Sequence, residues 1–159
     1  MKKILLILMA MFAFGMQNAS AQDAPLKIIT NHPDFQIKVK RCAASGKTVI
    51  LDMVLNNLGV NDIENIEVFG SRSEVYDNEG NIYQGDYIKS KVANRPSYEW
   101  TTGPFNIPTG VPMRLSLCIE GVPQSVESIA RLKLFVVCDK WGLNGDKPAR
   151  FTNIPITRD

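Results

Sequence analysis

The stretch YDNEGNIYQGDY at 76–87 clusters acidic and amide side chains around a glycine, and such residues can ligate calcium. An EF-hand loop needs oxygen ligands at its first, third and fifth positions, glycine at the sixth and glutamate at the twelfth. With Gly80 sixth, the first position would be Val75 and the twelfth Asp86, and the sequence predicts no flanking helices. We therefore interpret the stretch as a hairpin turn whose glycine takes a positive φ. The predicted turn residues are Asp77, Asn78 and Gly80.

The chain is poor in the residues that nucleophilic and metal chemistry require. His32 is its only histidine, so a Ser/His/Asp or Cys/His arrangement would depend on one side chain beside a proline. A zinc site needs three or four clustered cysteine and histidine ligands, and the candidates here are scattered. A glycosidase needs two facing carboxylates, and the 16 acidic residues single out no pair. The sequence predicts no catalytic residue, no metal site and no cofactor.

The sequence has three cysteines, which are Cys42, Cys118 and Cys138. In an oxidising compartment two of them can form a disulfide, and the third would then be a free thiol. Side chains alternate between the two faces of a strand, so Cys138 lies on the same face as the apolar residues of its strand and Cys118 lies on the opposite face. Cys42 ends its strand and can turn to either face. We predict a Cys42–Cys138 disulfide with Cys118 as a free thiol. Three separately buried thiols are the open alternative, because free cysteine is common in protein cores.

Two tryptophans, Trp100 and Trp141, fall in or beside predicted loops, and Tyr98 is close to the first. Aromatic side chains on the loops of a β-sandwich can stack on sugar rings or anchor a protein partner. The alternative is that they cap the core. We predict Tyr98, Trp100 and Trp141 as the candidate binding surface.

From Asp34 onward, apolar and polar residues alternate with the period of two that is typical of half-buried strands. The segment 123–134 matches a helical period only weakly, and Pro155 predicts an irregular end or an edge position for the last strand. These features predict an all-β fold, an antiparallel two-sheet β-sandwich of about seven to eight strands. The predicted strands are 35–40, 47–57, 63–70, one ending near Tyr76, one beginning near Ile82, 111–121, 129–139 and 149–157.

The first 21 residues have the pattern of a signal peptide. Two lysines precede the apolar run at 4–14, which is too short to span a bilayer comfortably, and the small residues at 19–21 predict cleavage after Ala21. An uncleaved membrane anchor is the alternative. The processed chain would consist of a lead-in segment, 22–33, and one domain, 34–159, in the periplasm or secreted, with no membrane anchor.

Cleavage also changes the charge. The full chain has 18 Lys and Arg against 16 Asp and Glu, and the leader carries two lysines and no acid. The processed chain would therefore have 16 of each and a net charge of zero. A neutral chain lacks the electrostatic signature of nucleic-acid binding or of attachment to an anionic membrane.

Three patterns occur in order along the chain: a strand ending in two asparagines, a D-x-x-G-x-x-Y hairpin, and a Pro/Gly turn before a late strand. In this order, over most of 35–137, the sequence resembles the immunoglobulin-like (telokin-like) domains of uncharacterised secreted bacterial proteins. The resemblance implies a sandwich fold and export, and it supplies no activity. The chain departs from antibody domains because no tyrosine lies two residues before Cys138. The matching residues are Asn56, Asn57, Asp77, Gly80, Tyr83, Pro108 and Gly110.

Together these observations predict an exported, immunoglobulin-like binding module rather than an enzyme, a monomer or weak oligomer that recognises a protein or glycan of the cell envelope through its loops. Two alternatives remain open. One is a structural or assembly subunit that pairs through an exposed edge strand. The other is a hydrolase that uses two close carboxylates with perturbed pKa values.

Overall fold

The computed structural model describes residues 24–141 and 148–158, so the predicted leader lies outside the described residues. Within those ranges there is no α-helix, and hence no helix able to cross a membrane. The described residues form a short 3-10 helix, Gly85–Tyr87, a further 3-10 turn at 139–141, and eleven strands. The strands are β1 Lys27–Ile29, β2 Phe35–Ser45, β3 Thr48–Asn57, β4 Ile63–Asp77, β5 Ile82–Tyr83, β6 Ile88–Val92, β7 Phe105–Ile107, β8 Met113–Glu120, β9 Ser128–Cys138, β10 Ala149–Pro155 and β11 Thr157–Arg158.

The strands form two sheets that enclose one core. The first sheet has the order β1-β10-β9-β4-β5, with β7 also paired to β4, and the second has the order β11-β2-β3-β8-β6. Every second side chain of β3 is buried, as the alternation in the sequence predicts. The all-β, two-sheet prediction is therefore confirmed. The largest fully buried side chains are Phe35, Leu51, Met53, Leu55, Ile66, Ile88, Ile107, Leu115, Leu117, Ile119, Ile129 and Phe151.

The strand count and the pairing differ from the prediction. The described residues form eleven strands rather than seven or eight, because β1, β7 and β11 are only two or three residues long and leave no periodic signal, and the five-residue β6 was not predicted. One of these, β1, lies within the predicted lead-in segment and pairs with β10. Another, β11, runs parallel to β2, so the pairing is not purely antiparallel. The predicted strands at 63–70 and near Tyr76 are one long strand, β4.

A bulge in β2 decides which of its side chains enter the core. Val39 pairs with Met53 and Arg41 with Asp52, so Lys40 is an extra residue in the ladder. Before the bulge Phe35 and Ile37 are buried, and after it the parity changes so that Cys42 and Ala44 are buried. The bulge thus keeps Arg41 on the outer surface next to Lys40 and turns Cys42 inward.

The predicted Cys42–Cys138 disulfide is wrong. All three cysteines are free and buried. β2 and β9 belong to different sheets, and their carboxyl ends lie at opposite ends of the sandwich. The start of β2 pairs with Asn57 at the end of β3, and the end of β9 pairs with Ile66 near the start of β4, which follows β3 in the chain. A disulfide requires α-carbons within about 7 Å of each other. The Cys138 thiol instead donates to the carbonyl oxygen of Glu64 at 3.4 Å.

The segment 93–104 joins the two sheets along one side of the sandwich. It pairs with β6 through two hydrogen bonds between Ser90 and Glu99, of 2.7 and 2.9 Å. It then reaches the first sheet, where the amide of Thr102 donates to the carbonyl of Val68 at 2.9 Å. The backbone of this segment is therefore fixed at both sheets.

Gly70 permits the close approach of β4 to β6 on the same side. A β-carbon at Gly70 would lie 2.9 Å from the carbonyl oxygen of Ile88 and 3.1 Å from the α-carbon of Lys89. Both neighbours are backbone atoms, so any other residue would push the two strands apart.

Candidate binding face

The hairpin at 77–83 satisfies its own polar groups. Gly80 has a φ of 88°, and β5 pairs back on β4 through Val75 and Tyr83. Asp77 is buried, and its two carboxylate oxygens accept hydrogen bonds from the amides of Glu79 and Asn81, the side-chain amide of Asn81 and the hydroxyl of Tyr83. No acceptor is left over for a cation.

The pKa values in the hairpin follow from this arrangement. Burial alone would raise the pKa of Asp77, but the hydrogen bonds from Asn81, Tyr83 and Glu79 outweigh it and lower the pKa. Burial, and then the hydrogen bond to Asp77, raises the pKa of the Tyr83 hydroxyl. The carboxylate is therefore held ionised and the phenol protonated, which stabilises the turn and provides no acid or base for catalysis.

Trp141 is buried at the end of the core rather than exposed like Trp100. It is only 8% exposed, and its ring packs on Phe35 with a centroid distance of 5.2 Å. The turn at 139–141 follows β9 directly and folds the indole back over the end of the core. The ring also stacks on His32, at 4.9 Å and an interplanar angle of 12°, so the single histidine is a packing partner.

The loops around Trp141 form a polar cleft at the end of the sandwich, of about 210 Å³. Asp34, Asp62 and Lys140 line it, next to Asn57. Asn57 is buried and holds the loops together, since its side-chain amide donates to the carbonyls of Asn61 and Ile107 at 2.8 and 3.1 Å. Among the residues that the structure describes, no group of three or more His, Cys, Asp and Glu could hold a metal.

Tyr98 and Trp100 lie at the border of a different surface, the outer side of the second sheet. Tyr98 and Trp100 flank Glu99, which pairs with Ser90 of β6 in an isolated antiparallel bridge. The Lys91 ammonium lies 4.6 Å from the centre of the Tyr98 ring. Trp100 is 59% exposed. Two of the three predicted aromatic residues thus share one surface.

We call this surface the basic face and define it as the outward side chains of β2, β3, β8 and β6 together with Tyr98 and Trp100. Its side chains form rows across the strands, about 7 Å apart along the strand direction and about 5 Å apart across it. The rows are Lys38, Val54 and Arg114, then Arg41, Asp52, Ser116 and Lys91, then Ala43, Ile50, Cys118 and Lys89.

A groove of about 310 Å³ lies in the basic face. Lys40, Lys91 and Arg114 supply positive charge to its walls, and Val54 and Ala93 provide apolar surface. Lys40 follows the inward-facing Val39, so the alternation of β2 points it toward the groove. The groove is therefore built from four strands that are far apart in the sequence.

The charges of the groove are unbalanced. Its one acid, Asp52, accepts a hydrogen bond of 2.6 Å from the Ser116 hydroxyl. Elsewhere on the face Lys89 forms an ion pair with Glu120 at 2.9 Å. Within 24–141 and 148–158, no carboxylate forms an ion pair with Lys40, Lys91 or Arg114. Three cations thus face solvent around one carboxylate.

Tyr98 lies next to two residues of the groove, because its hydroxyl is a hydrogen-bond partner of Ser116 and its ring lies against the Lys91 ammonium. Burial raises the pKa of the Tyr98 hydroxyl. Cys118, in the same row as Lys89, is only 8% exposed although it points away from the core. Sequence reasoning identified Tyr98 and Trp100 as aromatic loop residues but missed Lys40, Lys91 and Arg114, whose only signal is their outward parity.

Comparison with known proteins does not assign this chain to a family. No protein-family model matches the chain, and no curated protein matches it. Among solved structures, the chain is similar to a family 123 glycoside hydrolase from Clostridium perfringens, analysed for glycolipid glycan hydrolysis, at 13% identity and a TM-score of 0.43. The likeness covers 84% of this chain and 26% of that one, so the chain spans about a quarter of the hydrolase. At this level the likeness carries no inference about fold or activity.

Proposed function

We propose that this protein is an exported, non-catalytic binding module with an immunoglobulin-like sandwich fold, and that it recognises a protein or glycan of the cell envelope. The proposed recognition surface is the basic face together with segment 93–104. One observation carries the proposal: the exposed Trp100 and its near neighbour Tyr98 lie on a fixed backbone, and Lys91, which has no ion-pair partner in the described part of the chain, lies 4.6 Å from the centre of the Tyr98 ring.

The fixed backbone matters for affinity. A binding residue on a mobile loop loses conformational entropy when its ligand is bound, and this cost weakens binding. Because segment 93–104 is hydrogen-bonded to both sheets, Tyr98 and Trp100 are already positioned. Aromatic and cationic side chains held in this way are the residues that contribute most at interfaces.

One place where the edge-strand alternative could act is the first half of β2. There β11 covers only Ala43 and Ala44, so no other described strand pairs with 36–41 on that side. However, this edge carries Lys38 and Lys40 and contains the bulge. Lysines and bulges on an edge strand both oppose the addition of another strand. The observations therefore favour the binding module.

The hydrolase alternative would have to use the end cleft, where Asp34 and Asp62 line one cavity. It can be tested by incubating the processed chain with envelope glycans and measuring reducing sugar. Release that is abolished in both Asp34→Asn and Asp62→Asn would favour the hydrolase over our proposal. We expect no release.

The proposal itself is tested by affinity capture from an extract of the native envelope on the immobilised processed chain. We expect the Tyr98→Ala/Trp100→Ala variant to lose the captured component, and Tyr87→Ala to retain it. Tyr87 is a matched control because it is 57% exposed, against 59% for Trp100, and lies outside segment 93–104. Equal retention by both variants at equal stability would exclude the basic face as the recognition surface. Export is tested separately, since the chain isolated from the envelope should begin at Gln22.

A further inference from the structure

The basic face carries an excess of positive charge that the processed chain as a whole is not expected to have. In the groove, Lys40, Lys91 and Arg114 surround the single carboxylate of Asp52. Lys38 lies in the same row as Arg114, with only Val54 between them. Charge complementarity therefore requires a ligand that bears negative charge.

Arg114 indicates the kind of anion. A guanidinium presents its N–H donors in a planar fork that matches the two oxygens of a carboxylate, whereas a lysine acts as a point charge. Arg114 lies beside the apolar surface of Val54 and Ala93, against which the apolar face of a ring can pack. A carboxylate attached directly to a ring would place its oxygens at Arg114 and its ring on that surface.

Asp52 and Ser116 indicate what else the ligand must carry. The Ser116 hydroxyl donates to one oxygen of Asp52, and this carboxylate lines the groove, where it can accept further hydrogen bonds. A carboxylate repels a densely charged phosphodiester chain, and an acidic peptide offers few hydroxyl donors to it. A sugar that bears both a carboxylate and free hydroxyls satisfies Arg114 and Asp52 together.

Tyr98 and Trp100 extend the same surface along its edge. They are two residues apart on a segment whose backbone is hydrogen-bonded to both sheets, and Lys91, which borders the groove, lies 4.6 Å from the centre of the Tyr98 ring. Aromatic faces pack against the apolar C–H faces of sugar rings. Two such positions fit a chain of sugars better than a single sugar.

We infer that the basic face binds an acidic polysaccharide whose sugar rings carry carboxylates, with Arg114, Lys91 and Lys40 on the carboxylates, Asp52 on a hydroxyl, and Tyr98 and Trp100 against the rings. This inference rests on the proposed function, because it names the ligand class of the same surface.

The test is a calorimetric titration of the processed chain with oligogalacturonate and with its fully methyl-esterified form, which has the same rings without the charges. We expect binding to the acid form that is at least tenfold tighter than to the ester, and that weakens as salt is added. Arg114→Gln and Lys91→Gln should each lower the affinity about tenfold, the effect of losing one charge-assisted hydrogen bond. Lys47→Gln, at an exposed lysine in the β2–β3 turn, is the matched control and should change it less than twofold.

Each other outcome contradicts the inference in a recognisable way. Equal binding of acid and ester would exclude carboxylate recognition, and tighter binding of polyglutamate or single-stranded DNA would assign the face to an acidic peptide or a nucleic acid. Failure to bind any of the four probes would also overturn it. If envelope capture still depends on Tyr98 and Trp100 in any of these cases, the proposed function stands and only the ligand class is wrong.

Discussion

The hairpin at 77–83 and the basic face contain similar residues and arrange them in opposite ways. In the hairpin, the buried carboxylate of Asp77 accepts four hydrogen bonds from its own turn and from Tyr83. On the basic face, Asp52 receives one hydrogen bond from Ser116, while Lys40 and Arg114 face solvent. The hairpin is complete without a ligand, and the basic face is not.

This difference distinguishes a structural polar cluster from a binding one. A buried polar group is costly unless it is hydrogen-bonded, so a satisfied cluster such as the hairpin contributes to the free energy of unfolding. Exposed charges contribute little to stability and remain available to a ligand. Substitutions in the two regions should therefore affect different measurements.

The largest change in the free energy of unfolding is expected for a substitution of Asp77. Asp77→Ala removes the acceptor of four hydrogen bonds and leaves the Tyr83 hydroxyl buried without its partner, which should lower the free energy of unfolding by about 2–4 kcal/mol. Chemical denaturation measures this. Asp86→Ala, at an exposed acid in the same region, is the control and should have little effect. A loss below about 0.5 kcal/mol at Asp77 would show that the cluster is not structural.

The stabilisation that Asp77 provides should depend on pH only in acid. The pKa of Asp77 is lowered in the folded protein, so its contribution is complete above the unfolded pKa and is lost as pH falls through the folded pKa. In an Asp77→Asn variant this contribution is missing at every pH. The difference in free energy of unfolding between the two proteins should thus be constant above about pH 5 and shrink below about pH 4. A difference that grows in acid would contradict the lowered pKa.

Tyr83→Phe should have a smaller effect at neutral pH. It removes only the hydroxyl that donates to Asp77 at 2.7 Å, and we expect a loss of about 1–2 kcal/mol by thermal or chemical denaturation. Tyr76→Phe is the matched control, because its hydroxyl donates at 2.8 Å to Glu74, which is only partly buried. If both substitutions lower the free energy of unfolding by the same amount, burial of the Asp77 cluster is not the reason that it stabilises the fold.

The smallest change in stability is expected on the basic face. Arg114→Gln and Trp100→Ala alter exposed side chains, and each should change the free energy of unfolding by less than about 0.5 kcal/mol. The same two variants should lose envelope capture. Loss of more than about 1 kcal/mol in either one would mean that the face is part of the structural framework.

The sequence predicted the features that depend on local alternation. Val49, Leu51 and Met53 identified the buried side of β3, and the turn chemistry around Gly80 identified the β4–β5 connection. These predictions need only the period of a strand and the backbone preferences of a few residues.

The basic face was missed because it depends on strand order. Lys40 and Arg114 are far apart in the sequence and come together only because β8 pairs with β3 and β3 with β2. The β2 bulge has no sequence signature, yet it leaves Arg41 outward and turns Cys42 inward. The position of Trp141 depends on how the chain turns after β9, which alternation does not specify.

The most direct test of the account is a map of backbone amide chemical shifts for the isotope-labelled processed chain titrated with native envelope extract. The account predicts that shifts concentrate at 89–101 and 113–118, while the amides of 77–83 stay unchanged. Shifts confined to 57–63 and 139–141, around the end cleft, would contradict it, and so would a spectrum that the extract leaves unchanged.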